Sequence, residues 1–393
     1  MVAHRPVGAR TSNDDAAAWR CLIACDALAF LPRLFLVLGA VLGISYGLLM
    51  PPLQVPDEIG HFLRAYSVSN GTCVAPLKDM VPLSVHRLNI AFPGLLEHVR
   101  AVQVDDYLRL FHTSPDDTVN KQPTGNPAAN AYNCVPYLFS ASAVGLTRTL
   151  KLPAIGWFYS GRLANLAVFL TCVYAALRLL PVTRLAVFCV ALMPMTLHQA
   201  ASLSADAVGI GAAFLFFAYT AHLALDPTPA RVRAVEIAIL AALLLFTTLG
   251  KFNLWFAALP LLIGAGRFGG RAKKAAVCSL LFAIAVLSAV GWQYWNAANM
   301  REFEASRALR QIDLRANAEW ISGHPLGYCV VLARTIRVMG VDYARQFVGT
   351  LASLSIPLPS SIVLAYVVLL AVAASMDCGA KLGARARIIC GAV

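Results

Sequence analysis

The chain has 393 residues, 59% of them hydrophobic and only 13% charged, with a net charge of +12 and a mean hydropathy of +0.67. Soluble domains carry about a quarter charged residues, so this composition excludes a soluble globular protein and points to an all-α polytopic membrane protein. The positive balance does not argue for nucleic acid, because the basic residues are spread among short loops between apolar runs, where they set orientation.

Residues 1–28 read as a cytoplasmic tail. Arg5, Arg10 and Arg20 are mixed with acidic residues, and no small-residue cleavage site follows a short apolar core. A retained first span over 29–50 is therefore expected rather than a signal peptide. Further runs able to cross are 156–178, 184–203, 206–225, 232–250, 252–266, 274–295 and 358–376, about eight spans in all within a range of seven to ten. The run 252–266 is short and contains Pro260. The run 134–150 is also short and ends in Arg148 and Lys151.

Basic residues decide whether 134–150 crosses. If it lies in the interface, Arg178, Arg184, Arg231, Arg233, Arg267, Arg271, Lys273, Lys274, Lys381, Arg385 and Arg387 all share the side of the basic N-terminus. If it crosses alone, all of them fall outside, against the positive-inside tendency. The first arrangement is therefore expected, with both termini cytoplasmic. It divides the chain into a first outer loop over 51–155, a bundle over 156–295, a second outer loop over 296–357, a last span over 358–376 and a tail over 377–393. The first outer loop is polar, with Asp105-Asp106, Asp116-Asp117 and the turn-rich Pro123–Pro127, and is longer than a connector needs to be. The second opens on a charged amphipathic stretch from Met300 to Arg315.

None of the ten cysteines has metal-type spacing. Cys172, Cys189 and Cys278 lie in apolar runs and read as small buried residues. Cys73, Cys134 and Cys329 fall in outer loops, where a disulfide is chemically permitted; a Cys73–Cys134 bridge is one possibility.

Ionisable residues beside spans converge on the outer boundary, and such convergence is a functional-site signal. Asp57, Glu58, His61 and Arg64 follow the first span. Pro56 suits the first turn of a short helix on which Asp57, His61 and Arg64 share a polar face, with Ile59, Phe62, Leu63 and Tyr66 turned to lipid or core. Ser202, Ser204 and Asp206 lie between the third and fourth spans, Lys251 closes the fifth, and Trp292, Tyr294 and Trp295 close the seventh. Each has a plainer reading. The acidic pair and Ser204-Ala-Asp206 can be helix caps, Lys251 a snorkelling lysine, and the aromatics an interfacial belt. His198 and Gln199 read as residues hydrogen-bonded inside the bundle. His86, His98 and His112 are scattered without metal-like spacing.

The stretch Pro52-Leu-Gln-Val-Pro-Asp-Glu-Ile-Gly-His-Phe-Leu-Arg-Ala-Tyr66 resembles the signature of the bacterial membrane-protein family known as domain of unknown function 2142. The resemblance continues through Tyr132–Tyr137, Tyr159-Ser-Gly-Arg-Leu-Ala-Asn165 and Leu192–Asp206, and covers most of 30–360. It implies a helical bundle like that of the GT-C membrane glycosyltransferases, which take a sugar from a polyprenyl-phosphate carrier on the outer leaflet. In that superfamily an acidic pair in the first outer loop is the hallmark, and Asp57-Glu58 matches it. Two departures stand out. Ser353-Leu354-Ser355 replaces the usual Trp-Leu-Asp, and the tail 377–393 does not look like the family.

The implied activity is inverting transfer of the sugar to a glycan or other hydroxyl acceptor at the outer face of a bacterial plasma membrane. Asp57 is the expected base, with Glu58 orienting it and His61 tuning it by hydrogen bonding. Arg64 and Lys251 are expected to meet the departing phosphate, together with Ser204 and Asp206. A divalent cation, magnesium or manganese, is compatible with Asp57, Glu58 and a third carboxylate but is not required. The rival readings are a transporter, flippase or scaffold for envelope polysaccharide, and a shortened inactive copy. Transporters place ionisable residues in mid-span and show repeated halves, and neither is visible.

Overall fold

The computed structural model describes residues 29–77, 79–92, 102–112, 121–124, 127–225, 230–251, 253–308 and 313–377. The predicted tail 1–28, His98, Asp116-Asp117 and all but the first residue of 377–393 lie outside them. The first apolar run forms helix α1 (Leu31–Leu49). Gly39, Gly43 and Gly47 recur at four-residue intervals along its buried face. This small-residue strip lets the next span approach closely, because a Cβ on Gly43 would come within 2.5 Å of Leu166 and one on Gly39 within 2.7 Å of Leu170.

After the Pro51–Pro56 turn comes α2 (Glu58–Ser69), which starts two residues beyond the predicted Pro56. The rest of the first outer segment contains β1 (Asp79–Pro82), α3 (Leu83–Ala91), α4 (Val104–Phe111) and β2 (Lys121–Thr124). β1 and β2 pair antiparallel, with Asp79 opposite Thr124 and Pro82 opposite Lys121. A disulfide joins Cys73 to Cys134 with the Cα atoms 5.0 Å apart.

The short run 134–150 becomes a turn of 3-10 helix at Val135–Tyr137 and then α5 (Leu138–Thr149). Twelve residues of α-helix extend about 18 Å, well short of a ~30 Å hydrocarbon core. Arg148, near its end, donates from Nη1 to Asn70 Oδ1 at 2.7 Å and to Ser69 Oγ at 3.1 Å. Its guanidinium also lies over the rings of Tyr66 and Trp157. α5 is therefore tied to the end of α2 and is too short to cross.

The bundle follows with α6 (Ala154–Leu179), α7 (Arg184–Ala191), α8 (Pro194–Ala200), α9 (Ala205–Leu225), α10 (Ala234–Lys251) and α11 (Arg271–Trp295). Among the described residues, α1, α6, α9, α10 and α11 are the five helices long and apolar enough to cross a membrane. Two predicted spans take a different form. The run 184–203 is broken between α7 and α8, because Pro194 holds Met193 in an extended conformation, ψ 138°. The two halves still lead from the Arg184 end of the bundle to Ser202.

The run 252–266 is not α-helical. Leu254–Leu262 is 3-10 helix with Pro260 inside it. At about 2.0 Å per residue, 3-10 helix covers more length than α-helix for the same residues. The run thus connects Lys251 at one end of the bundle to Arg267 at the other, where the Arg267 carbonyl accepts from Val232 N–H at 2.8 Å.

The second outer segment comprises α12 (Ala297–Ala308), α13 (Leu314–Gly323), α14 (Pro325–Gly349) and a two-stranded hairpin of β3 (Thr350–Leu351) and β4 (Ile356–Pro357). The predicted amphipathic stretch is thus divided between α12 and α13. The last helix, α15 (Ser360–Asp377), contains a shorter apolar helix, Ser360–Met376. Arg178, Arg184, Arg231, Arg233, Arg267 and Arg271 all gather at one end of the bundle. Met50, Ser202, Lys251 and Trp295 gather at the other.

Candidate functional site

Glu58 opens α2 and is buried, 1% exposed. Its Oε1 accepts from Arg162 Nε at 2.8 Å and from Leu203 N–H at 2.9 Å, and its Oε2 accepts from Arg162 Nη2 at 2.7 Å. Arg162, on the outer half of α6, also donates to the carbonyls of Gly47 and Met50 at 2.7 Å and of Pro51 at 3.1 Å. Gly47 and Met50 lie at the C-terminal end of α1, where carbonyls lack helical partners and a cation is favoured. Next to this knot, Asn165 Nδ2 donates to the carbonyls of Ser202 and Ser204 at 2.9 and 3.0 Å. One ion pair and one amide thus tie α1, α2, α6 and the α8–α9 turn together.

Asp57 has the opposite environment. It is exposed, and its backbone is left-handed at φ 58° with no capping hydrogen bond from its side chain. Left-handed backbone is unusual for a non-glycine residue, though Asp tolerates it better than most. The shared polar face predicted for Asp57, His61 and Arg64 does not form, because His61 and Arg64 are buried.

Beneath Asp57, His61 Nδ1 lies 2.6 Å from the Tyr137 hydroxyl, and its ring meets that of Tyr132 edge-on at 5.2 Å. Burial pushes the His61 imidazole below its usual value, opposed by the negative fields of Asp206, Asp57 and Glu58. Burial also raises the Tyr137 hydroxyl well above its usual value and raises that of Tyr132. Across from Asp57, Lys251 Nζ is 2.9 Å from both carboxylate oxygens of Asp206. The charges of Asp57, Asp206 and Lys251 all reach His61 and Tyr132. The arrangement is a group of two carboxylates and one ammonium above a neutral His–Tyr pair.

Three predicted residues have other duties. Arg64 is fully buried and donates to the carbonyls of Tyr132 and Thr72 at 3.3 and 3.2 Å, and to that of Cys73. It holds the stretches of chain leading to the disulfide, and its guanidinium lies 5.9 Å from the centre of the Tyr137 ring. Ser204 is buried, and its hydroxyl accepts from Asp206 N–H at 3.1 Å, which caps α9. Glu58 has both oxygens committed to Arg162 and Leu203, so the acidic pair does not fit a shared cation without opening the buried ion pair. No group of three His, Cys, Asp or Glu side chains suited to a metal occurs among the described residues.

The remaining expectations divide. Trp292 is buried and donates to the Ala131 carbonyl at 2.9 Å, whereas Tyr294 and Trp295 are exposed as a belt requires. His198 is buried against the Tyr46 ring, but neither ring nitrogen has a hydrogen-bond partner among the described residues. The expected internal bond is therefore missing. Ser353, at the hairpin between β3 and β4, donates to the Gln54 carbonyl at 3.2 Å. That contact joins the second outer segment to the turn before Asp57. Ala352 and Leu354 beside Ser353 are left-handed, as are Leu53 and Asp57.

Arg162 and Asn165 received no role from the sequence, although both lie in the Tyr159–Asn165 motif. The available signal was their cost. An arginine and an asparagine one turn apart, inside a run that must cross, need partners.

Apolar helices with ionisable groups gathered at one end of the bundle define a polytopic all-α membrane protein. The chain belongs to the family described as predicted membrane protein, domain of unknown function 2142, which it matches over residues 38–388. That match runs on through 377–388, so most of the tail 377–393 falls within the family despite its unusual sequence. No curated protein and no solved structure matches the chain significantly.

Proposed function

We propose that this protein is a membrane glycosyltransferase of GT-C type, which transfers a sugar from a polyprenyl-phosphate carrier to a hydroxyl acceptor with inversion. The observation that carries the reading is the division of labour in the acidic pair. Glu58 is locked to Arg162, and that lock presents Asp57, unpaired by any cap, beside Asp206 and Lys251. The acceptor O–H gives its proton to the Asp57 carboxylate as the oxygen bonds to C1 of the sugar. The C1–O bond to phosphate breaks on the opposite face, and the electron pair leaves with the carrier phosphate. Lys251, half-exposed, offers positive charge where negative charge grows on the leaving phosphate, and Asp206 holds it in place. His61 supports the floor of the site through Tyr137. Glu58 and Arg162 act as positioning residues.

In this reading the site faces outward from a bacterial plasma membrane and both termini are cytoplasmic. The arginine-rich end of the bundle suits the cytoplasm, and the Cys73–Cys134 bridge suits an oxidising compartment.

The test is Asp57→Asn in purified protein reconstituted in lipid. Sugar transfer is expected to be lost, while expression and carrier binding stay near the unaltered level. Turnover retained by Asp57→Asn removes Asp57 as the base.

A further inference from the structure

The 3-10 run Leu254–Leu262 creates a feature that no motif announced. A 3-10 helix is tighter than an α-helix, and residues three apart stack into straight ridges. Placed among α-helices, this ribbon leaves an apolar cleft on each side. One, of about 540 Å³, lies against α11 and includes Ala257, Ala258, Cys278 and Phe282. The other, of about 260 Å³, lies between α7, α9 and the ribbon, and includes Val187, Ile210, Phe214, Phe217, Trp255 and Phe256.

The second cleft shares a helix face with the charged group. Asp206, Ile210, Ala213, Phe214 and Phe217 fall at i, i+4, i+7, i+8 and i+11 of α9, a single face of that helix. The carboxylate that holds Lys251 therefore stands one turn, about 5.4 Å, above the start of the cleft. On the facing wall the chain passes from Lys251 into the ribbon within a few residues, and Trp255 stacks on Phe256 with ring centroids 3.9 Å apart. A half-exposed ammonium at the rim and an aromatic-walled slot below it match a ligand with an anionic head and a linear apolar tail.

Resting on the donor reading above, we infer that the cleft between α7, α9 and the 3-10 ribbon receives the first isoprenoid units of the polyprenyl phosphate, with its phosphate at Lys251. The volume is close to the lower bound of about 300 Å³ for small-molecule pockets. It therefore takes the head-proximal part of the chain and leaves the remainder in the bilayer. On binding, phosphate oxygens share the Lys251 ammonium with Asp206.

The test uses the full chain in phosphatidylcholine nanodiscs and a decaprenyl phosphate probe with a photoactivatable diazirine near the phosphate. Crosslinks are expected in peptides covering 187–190, 210–217 and 255–259, competed by unlabelled decaprenyl phosphate and not by phosphatidylglycerol. Ala213→Trp, which fills the slot, is expected to lower labelling about ten-fold. Val190→Trp provides a second obstruction from the α7 wall, should the first variant fold poorly. Lys251→Ala is expected to weaken the phosphate probe and leave a decaprenol probe unchanged.

Crosslinks confined to other surfaces, or equal competition by phosphatidylglycerol, overturn the inference. Labelling of the cleft in a protein without transfer activity upholds this site and removes the transferase reading. Transfer that survives both tryptophan variants undiminished upholds the transferase and overturns this site.

Discussion

Asp57 and Glu58 are neighbours with opposite environments, one exposed and the other buried. With φ at 58°, Asp57 ends the turn in a left-handed step, and its side chain is exposed as Glu58 enters the helix and turns inward. A buried carboxylate is costly unless paired and fully hydrogen-bonded, and Arg162 with Leu203 N–H supplies both. Removing one partner leaves an uncompensated charge. Arg162→Leu is therefore expected to cost about 3–5 kcal/mol, measured as a large fall in Tm in detergent, and Arg162→Lys should recover only part because it cannot bind bidentately.

His61 has a predictable pH signature. Its folded pKa lies below the unfolded value because burial opposes the charged form. Protonation consequently favours the unfolded state. The stability contribution is complete above about pH 6.5, the ordinary histidine value, and is lost as pH falls towards the folded pKa. His61→Gln is expected to flatten the acid side of the Tm-against-pH profile; an unchanged profile assigns that loss to other groups.

At the scale of elements, chain breaks carry as much meaning as helices. Pro194 divides one apolar run and Pro260 lies within a run that forms 3-10 helix, so apolar length alone does not give the helix that each run forms. The 51–155 segment has its own core, in which Phe62, Tyr66, Val81, Leu88, Phe92 and Tyr137 are buried against Trp157 and Phe158, and covalent and polar ties reinforce it. The Cys73–Cys134 bridge spans 61 residues, Arg64 clasps the carbonyls beside it, and Asn299 Nδ2 donates to the Ala75 carbonyl at 2.8 Å. Loop-entropy reasoning gives a bridge of this span roughly 4 kcal/mol. Cys73→Ser with Cys134→Ser should accordingly loosen the segment, seen as faster limited proteolysis between residues 70 and 135 while the bundle stays intact. Equal protection with and without the bridge leaves the polar ties as sufficient.

For the whole molecule, orientation rests on α5. A 12-residue helix whose Arg148 bonds to Asn70 is too short to cross a ~30 Å core, and in the proposed topology the later spans therefore keep the orientation the arginines favour. Thr149 is exposed at its end. In a background where the exposed Cys329 is replaced by serine, Thr149→Cys should react with a membrane-impermeant maleimide from outside intact cells. Protection until lysis inverts the topology and separates the Asp57 group from the outer face.

Much of this was legible in the sequence. Apolar runs and basic loops follow from transfer energies that act residue by residue, so composition and order alone determine that this is an α-helical membrane protein, where most spans lie and which end is basic. The grouping of Asp57, Asp206 and Lys251 near one level follows from the same count. What each polar group touches is a long-range property. Glu58 and Arg162 are 104 positions apart, Asn299 and Ala75 are 224 apart, and nothing local to either member names its partner. Only the folded chain could divide the acidic pair into a buried anchor and an exposed carboxylate, bury Arg64 against the carbonyls of Thr72, Cys73 and Tyr132 and open a cleft beside the 3-10 ribbon. Each depends on which backbone carbonyls and side chains come within about 3 Å of one another.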